Sequence, residues 1–280
     1  MEIFFFLCIF IFGTFVGSFL GVLVDRLPRG ESVVFGRSYC ENCQKKLTGW
    51  DLIPLFSYLL LGGKCRQCHK KISAFYPLIE FVTGSIFVLV TYAFVGNDLA
   101  QLIETSRYSV TYVYFLSLFA TLIGIFFTDL KYGIIPFPIV FFSLLTTFLW
   151  YFLFPVFSFT PADQVFFPTD EAFLSGALWS ALGTFLAFLL LFLGTKGKGI
   201  GFGDVVYVFL MGLVLGFPRI ILGLYIAFLS GAIISVLLVA TGKKKMRGET
   251  IPFGPFLVTG TVISLLWGEK IIQFVVGYLF

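Results

Sequence analysis

Apolar runs of about 20 residues recur along this chain between short polar breaks, each long enough to cross a bilayer as a helix. That pattern dominates every other constraint on the fold. With 59% hydrophobic and only 12% charged residues and a mean hydropathy of +1.00, there is too little charge to cover the outside of a soluble domain. A membrane barrel would instead show alternating segments of roughly ten residues, which are absent. The runs predict eight membrane helices, near 3–24, 76–95, 109–128, 136–154, 173–194, 205–217, 220–240 and 251–268, the sixth unusually short. The expected fold class is therefore all-α and polytopic. Its expected divisions are a first transmembrane helix (1–24), a polar loop domain (25–75) and a helical bundle (76–280).

Charge placement orients these helices. Of the 19 Lys and Arg residues, Arg107, Arg219 and Lys270 alone fall on one side of the predicted bundle. The loop 25–75 and the turns at Lys131, Lys196, Lys198, Lys243–Lys245 and Arg247 hold all the others. Basic loops stay inside, which places both termini outside and the 25–75 loop in the cytosol. The first run has Glu2 rather than a basic start, and Arg26 and Arg29 follow it, so it is expected to be a retained anchor rather than a cleaved signal. Gly13, Gly17 and Gly21 repeat every four residues within it, a small-residue stripe for close helix contact. The basic cluster Lys243–Lys245 with Arg247 is expected to anchor the chain at anionic lipid, and Asp163, Asp170 and Glu171 to lie in a solvated outer loop.

The polar loop carries Cys40, Cys43, Cys65 and Cys68 as two C-x2-C pairs. This spacing matches a tetrahedral zinc site made of two thiolate knuckles. A reducing cytosol weighs against disulfides, while a redox pair or empty thiols are the remaining alternatives. Four sulfurs close the coordination shell, so the metal would be structural. His69, the single histidine, is expected to be a polar neighbour of Cys68 rather than a ligand, and Cys8 an apolar helix residue.

Two aspartates carry the candidate chemistry. Asp129 ends the third predicted helix, and Asp204 begins the sixth after Gly197, Gly199, Gly201 and Gly203. Carboxylates at membrane depth are costly. A structural account remains open: Asp129 pairs with Lys131, and Asp204 caps its helix. In the functional account, the glycines permit close approach of an extended peptide. The two carboxylates then share one proton and divide acid and base roles in water attack on a peptide carbonyl. No Lys-Ser/Thr follows the glycines, so they are not a nucleotide-binding loop. Intramembrane carboxylates also occur in ion pathways, which leaves a transporter or channel with a zinc-bearing regulatory loop as the rival.

Several short motifs in a fixed order carry a resemblance. They are Gly17-Ser18-Phe19-Leu20 with Arg26-Leu27-Pro28; the cysteine loop with Trp50-Asp51-Leu52-Ile53-Pro54 and Gly63-Lys64-Cys65-Arg66; Tyr76-Pro77-Leu78-Ile79-Glu80; the two aspartate segments; and Ile251-Pro252-Phe253-Gly254-Pro255-Phe256. Over nearly its whole length the chain resembles the prepilin peptidases, GxGD aspartic proteases that process type IV prepilins and pseudopilins. The resemblance implies Asp129 and Asp204 as the catalytic pair and the four cysteines as zinc ligands. It implies a prepilin or pseudopilin partner whose short basic leader is cut at the cytosolic face of the bacterial inner membrane. For many members it also implies methylation of the new amino terminus from S-adenosylmethionine, to which no residue is assigned here. Phe137, Val205 to Tyr207 and Gly21 depart from the family pattern. Glu80, at a helix start after Pro77, is expected to complement the helix dipole, with a part in methyl transfer as the alternative.

Overall fold

A computed structural model describes residues 2–95, 106–153, 172–242 and 251–279. Lys243–Lys245, Arg247, Asp163, Asp170 and Glu171 lie outside them. The described chain is helical, with α1 (Glu2–Arg26), a short α2 (Phe56–Leu60), α3 (Phe75–Val95), α4 (Ser106–Tyr132), α5 (Phe137–Leu153), α6 (Ala172–Gly194), α7 (Phe202–Leu215), α8 (Arg219–Ala240) and α9 (Gly254–Leu279). Among the described residues there is no β-strand, only two isolated bridges in the polar loop.

All eight expected helices are present. Six are long and apolar enough to cross a membrane, while α5 and α7 are apolar but shorter. At a rise of 1.5 Å per residue, the 14 residues of α7 span about 21 Å, less than the hydrocarbon thickness. Burial accounts for its persistence: Val205, Tyr207, Val208 and Leu210 to Leu215 are all buried by protein. Phe4, Leu89, Phe141, Phe152, Trp179 and Leu190 are exposed instead, large apolar side chains of the kind that face lipid.

Three boundaries differ from the sequence expectation. Helix α4 runs on to Tyr132, so Asp129 sits inside its last turn, and α7 begins at Phe202, which puts Asp204 in its first turn. Helix α9 continues past Gly268 to Leu279. Backbone bonding does not stop where apolar residues do, and Glu269 in the extension pairs with Arg219 of α8 at 2.8 Å.

The chain forms two compact units, Met1–Gly124 and Ile125–Phe280, divided within α4. In the first, α1 packs along α3. A Cβ on Gly13 would meet Gly84 Cα at 2.8 Å, and one on Gly17 would meet Glu80 Cα at 2.7 Å, so these glycines do set a close crossing. Gly21 differs, since its nearest neighbour would be the Tyr76 ring at 3.6 Å. Phe94 against Phe115 (ring centroids 5.1 Å) and Thr91 bonded to the Tyr112 hydroxyl (2.8 Å) tie α3 to the first turns of α4.

In the second unit α7 is the core helix. Gly212 lies against Ala181 of α6, Tyr151 of α5 donates to the Leu213 carbonyl at 2.7 Å, and Tyr207 bonds Thr261 of α9 at 2.8 Å. Gly260 of α9 faces Gly223 of α8 so closely that any Cβ would strike the Gly223 carbonyl oxygen. Small residues replace hydrophobic collapse as the means of bringing membrane helices together.

Candidate active site and thiolate cluster

Asp129 is 4% exposed. Helix α4 closes just beyond it, where Gly133 (φ 66°) donates its N–H to the Asp129 carbonyl at 2.8 Å, a left-handed termination. The Asp129 side chain is held from another element altogether. Its Oδ2 accepts the N–H of Gly254, the first residue of α9, at 2.8 Å. An anion there also faces the positive end of the α9 dipole. The neighbouring Lys131 places its ammonium 5.2 Å from the centre of the Tyr132 ring.

Asp204 lies at the third position of α7, partly buried, and its Oδ2 accepts the N–H of Gly201 at 3.1 Å. Gly201, not Asp204, is the N-cap of α7; Asp204 reaches back to it from the third helical position, which occupies one of its two oxygens. The glycines before it have separate tasks. A Cβ on Gly201 would come within 3.2 Å of the Asp204 carboxylate, and one on Gly203 within 2.9 Å of Ile135 Cβ. Ile135 belongs to the turn that follows Asp129, so Gly203 lets the start of α7 settle against that turn. Phe202, between them, stacks near Phe137 at 6.0 Å and Phe192 at 5.6 Å. These two glycines serve chain approach and carboxylate placement. The consequence is that Asp129 and Asp204 lie within electrostatic reach of one another. Each has one oxygen tied to a glycine amide.

Gly254 was not singled out by sequence reasoning as part of this site, beyond its place in Pro252-Phe253-Gly254-Pro255. Nothing in the local sequence says which carboxylate its amide will meet. A Cβ at Gly254 would sit 2.6 Å from Asp129 Oδ2. Gly254→Ala should therefore push the carboxylate aside and lower the turnover number by about a hundredfold, the cost of misplacing a reacting group by about 1 Å. Steady-state kinetics on inserted, monodisperse protein would check this; an unchanged turnover would remove Gly254 from the positioning of Asp129.

In the polar loop, Cys40, Cys43, Cys65 and Cys68 offer sulfurs that all lie within 4.8 Å of one another and can hold a metal ion. Cys40 Sγ and Cys68 Sγ are 3.8 Å apart, close to the edge of about 3.8 Å that a tetrahedron with Zn–S bonds of about 2.3 Å requires. The two halves are built alike. Cys40 N donates to Lys45 O, Gln44 N to Cys40 O, Cys65 N to Lys70 O and His69 N to Cys65 O, at 2.8–3.0 Å. Gln44 (φ 55°) and His69 (φ 54°) occupy the matching left-handed positions. His69 is thus an exposed turn residue outside the cluster. Backbone N–H groups near Lys70, with the Asn42 amide, hold the Cys68 thiol down to about 6. Backbone N–H groups of Cys43 and Asn42 lower that of Cys40. At these two sulfurs oriented amides favour thiolate, the form that binds metal.

The rest of the loop is braced onto this cluster. Asp51 accepts from the Thr48 hydroxyl at 2.6 Å and the Thr48 N–H at 3.0 Å, and its other oxygen takes Arg66 Nε at 2.8 Å. The Thr48 hydroxyl, with Arg66 beside it, keeps the Asp51 carboxyl below its usual range. Arg26 at the end of α1 reaches the carbonyls of Ser32, Phe35 and Arg37.

A multi-pass helical membrane protein with one buried and one partly buried carboxylate in electrostatic reach of each other, and a separate four-thiol cluster, is the class these features define. Residues 11–94 match the bacterial peptidase A24 N-terminal domain, and residues 116–236 match the type IV leader peptidase family. The chain is 32% identical to the prepilin leader peptidase/N-methyltransferase of Bacillus subtilis, over 95% of this chain and 96% of that protein. It is 28% identical to the proteins of the same name from Pseudomonas aeruginosa (95% and 92% covered) and Legionella pneumophila (98% and 96% covered). No solved structure matches it. The chain belongs to the type IV leader peptidase family.

Proposed function

We propose that this protein is an intramembrane aspartic endopeptidase that removes the short basic leader of type IV prepilins or pseudopilins. The observations that support this reading are that Asp129 and Asp204 belong to one unit within electrostatic reach of each other, and that each has a single oxygen restrained by a glycine N–H. The second oxygen of each remains for water and substrate. One carboxylate, ionised, accepts a proton from the attacking water while the other, protonated, donates to the scissile carbonyl oxygen. As the tetrahedral intermediate collapses, the leaving nitrogen takes up a proton, and no bond forms between enzyme and substrate. Amide restraint of both groups keeps them oriented without using the oxygens that do the chemistry.

The basic loops support a topology with the aspartates and the 25–75 loop on the cytosolic side of the inner membrane, the side where a basic leader waits. The four cysteines bind one structural zinc, which folds the loop as a unit carried on α1 and α3. S-adenosylmethionine, when bound, supplies an electrophilic methyl group for the new amino terminus. The transporter alternative has no support in the names of these relatives, which are peptidases.

Mass spectrometry of a pilin-like precursor incubated with the purified full chain, with no ion gradient, tests both activities together. The expected product has lost its leader and gained the mass of one methyl group when the methyl donor is present. An intact precursor across all pilin-like precursors tried would refute the peptidase; cleavage without added mass would refute methylation alone.

A further inference from the structure

Helix α2 has two faces. Ser57, Tyr58 and Leu61 turn inward, toward the space enclosed by the loop with α1 and α3. Phe56, Leu59 and Leu60, at i, i+3 and i+4, share the opposite face, where they are 54%, 75% and 69% exposed. Trp50, 74% exposed, stands in the 3-10 turn Gly49–Leu52, which packs against α2. Large apolar side chains left open together in so polar a loop mark a surface that something covers.

The depth of α2 follows from its attachment. Leu55, just before it, donates its N–H to Glu80 Oε2 at 2.8 Å. Glu80 belongs to α3, which is long and apolar enough to cross a membrane from Phe75 onward, and lies about 7.5 Å along that helix. Side chains on a helix lean toward its N-terminus, so this bond holds α2 beside the first two turns of α3 rather than out beyond them. In those turns Leu78 and Phe81 are exposed apolar residues of the kind that face lipid.

Charge agrees with that depth. Gly62 (φ 57°) and Gly63 (φ 69°) turn the chain sharply after α2. Lys64 follows, opposite Lys71 across an isolated antiparallel bridge. Both are exposed, and neither has an acidic partner among the described residues. Like charges set opposite each other repel until an anion joins them. Between 25 and 75, nine Lys and Arg outnumber four Asp and Glu, so the loop as a whole is drawn to a leaflet that carries anionic lipid.

We propose that α2 is an interfacial anchor. Phe56, Leu59 and Leu60, with Trp50, enter the boundary between headgroups and acyl chains in the cytosolic leaflet, and Lys64 and Lys71 hold the phosphate of an anionic lipid. The loop then lies along the membrane surface instead of projecting from it. The metal sets its fold, and the apolar face of α2 sets its orientation. This rests on α1 and α3 spanning the membrane with the loop on the cytosolic side, and not on leader cleavage.

Fluorescence of the full chain in nanodiscs would test it, with lipid tails brominated close to the headgroup. Subtracting the signal of Trp50→Phe isolates Trp50. In discs containing phosphatidylglycerol its emission should fall about twofold, as for a Trp at the interface. Leu59→Glu combined with Leu60→Glu should restore it, and amide hydrogen exchange over 56–61 should then rise about tenfold. Lys64→Gln with Lys71→Gln, or discs of phosphatidylcholine alone, should weaken the quenching without abolishing it. Zinc content at the wild-type value reports that each variant folds.

Unquenched Trp50 in phosphatidylglycerol discs, or quenching that survives both glutamates, would overturn the anchor. Equal quenching in both lipids and in the lysine variant would overturn the phosphate assignment. Protection of 56–61 found only in discs that hold two chains would give this face to a second copy. Protection found only with a pilin-like precursor present would give it to the substrate. Either result would displace lipid as the occupant.

Discussion

Asp129→Asn and Asp204→Asn should each reduce leader cleavage by on the order of a thousand-fold or more, with the protein still inserted and zinc-loaded. General acid and base assistance is worth about 10²–10⁴-fold for each group, and an amide can neither take up the proton from water nor give one to the substrate. The substitutions are otherwise mild. Asn retains an oxygen that can accept from Gly254 N–H at position 129 or from Gly201 N–H at position 204, so helix termini and packing need not change. The two variants should look alike in turnover, because the groups act as one unit and removing either leaves the other without its counterpart. Cleavage of a purified precursor, followed by gel shift, is the measurement. Residual activity in Asp204→Asn near that of the wild type would exclude Asp204 from the chemistry.

Removal of metal from the cysteine loop is the second large effect expected. Elemental analysis should find about one zinc per chain, and Cys40→Ser or Cys65→Ser should lower it sharply. Metal binding supplies roughly 10–16 kcal/mol of apparent folding free energy in small zinc modules. The loop has little else to replace it: the short 3-10 turn Gly49–Leu52 and α2, its only helices, bury no side chain, and Phe35, Trp50, Leu59 and Leu60 are exposed. Chelation should therefore open the loop and expose it to protease between α1 and α3. The membrane helices should stay resistant, since their packing does not depend on it. Protease mapping before and after chelation would read this directly. An intact loop in metal-free protein would refute a structural metal.

These two experiments separate the functional centres; the two aspartates were legible in the sequence, whereas the Gly254 amide that holds Asp129 was not. Spans of about 20 apolar residues are legible because each helix must satisfy its backbone bonds internally within lipid, whatever its neighbours do. The knuckle pattern of Cys40, Cys43, Cys65 and Cys68 is legible for a similar reason: ligand spacing within each turn is local geometry. Local reading also explains the errors at helix ends. The expectation for the last span stopped at the charges of Glu269 and Lys270, but a tertiary ion pair to Arg219 carries the helix through them.

What the sequence determined, then, was everything set by neighbours a few residues away: which segments are helices, where polar turns fall, and which thiols can face one another. Tertiary structure alone decided which distant groups meet. It placed the amide of Gly254 on Asp129, used Gly203 to seat α7 against Ile135, and left Gly21 at ordinary contact distance from the Tyr76 ring while Gly13 and Gly17 brought the same helix pair close. The physical reason is that helix formation is governed by bonds four residues apart, whereas these contacts depend on the crossing of whole helices, where a single absent Cβ determines whether two backbones touch.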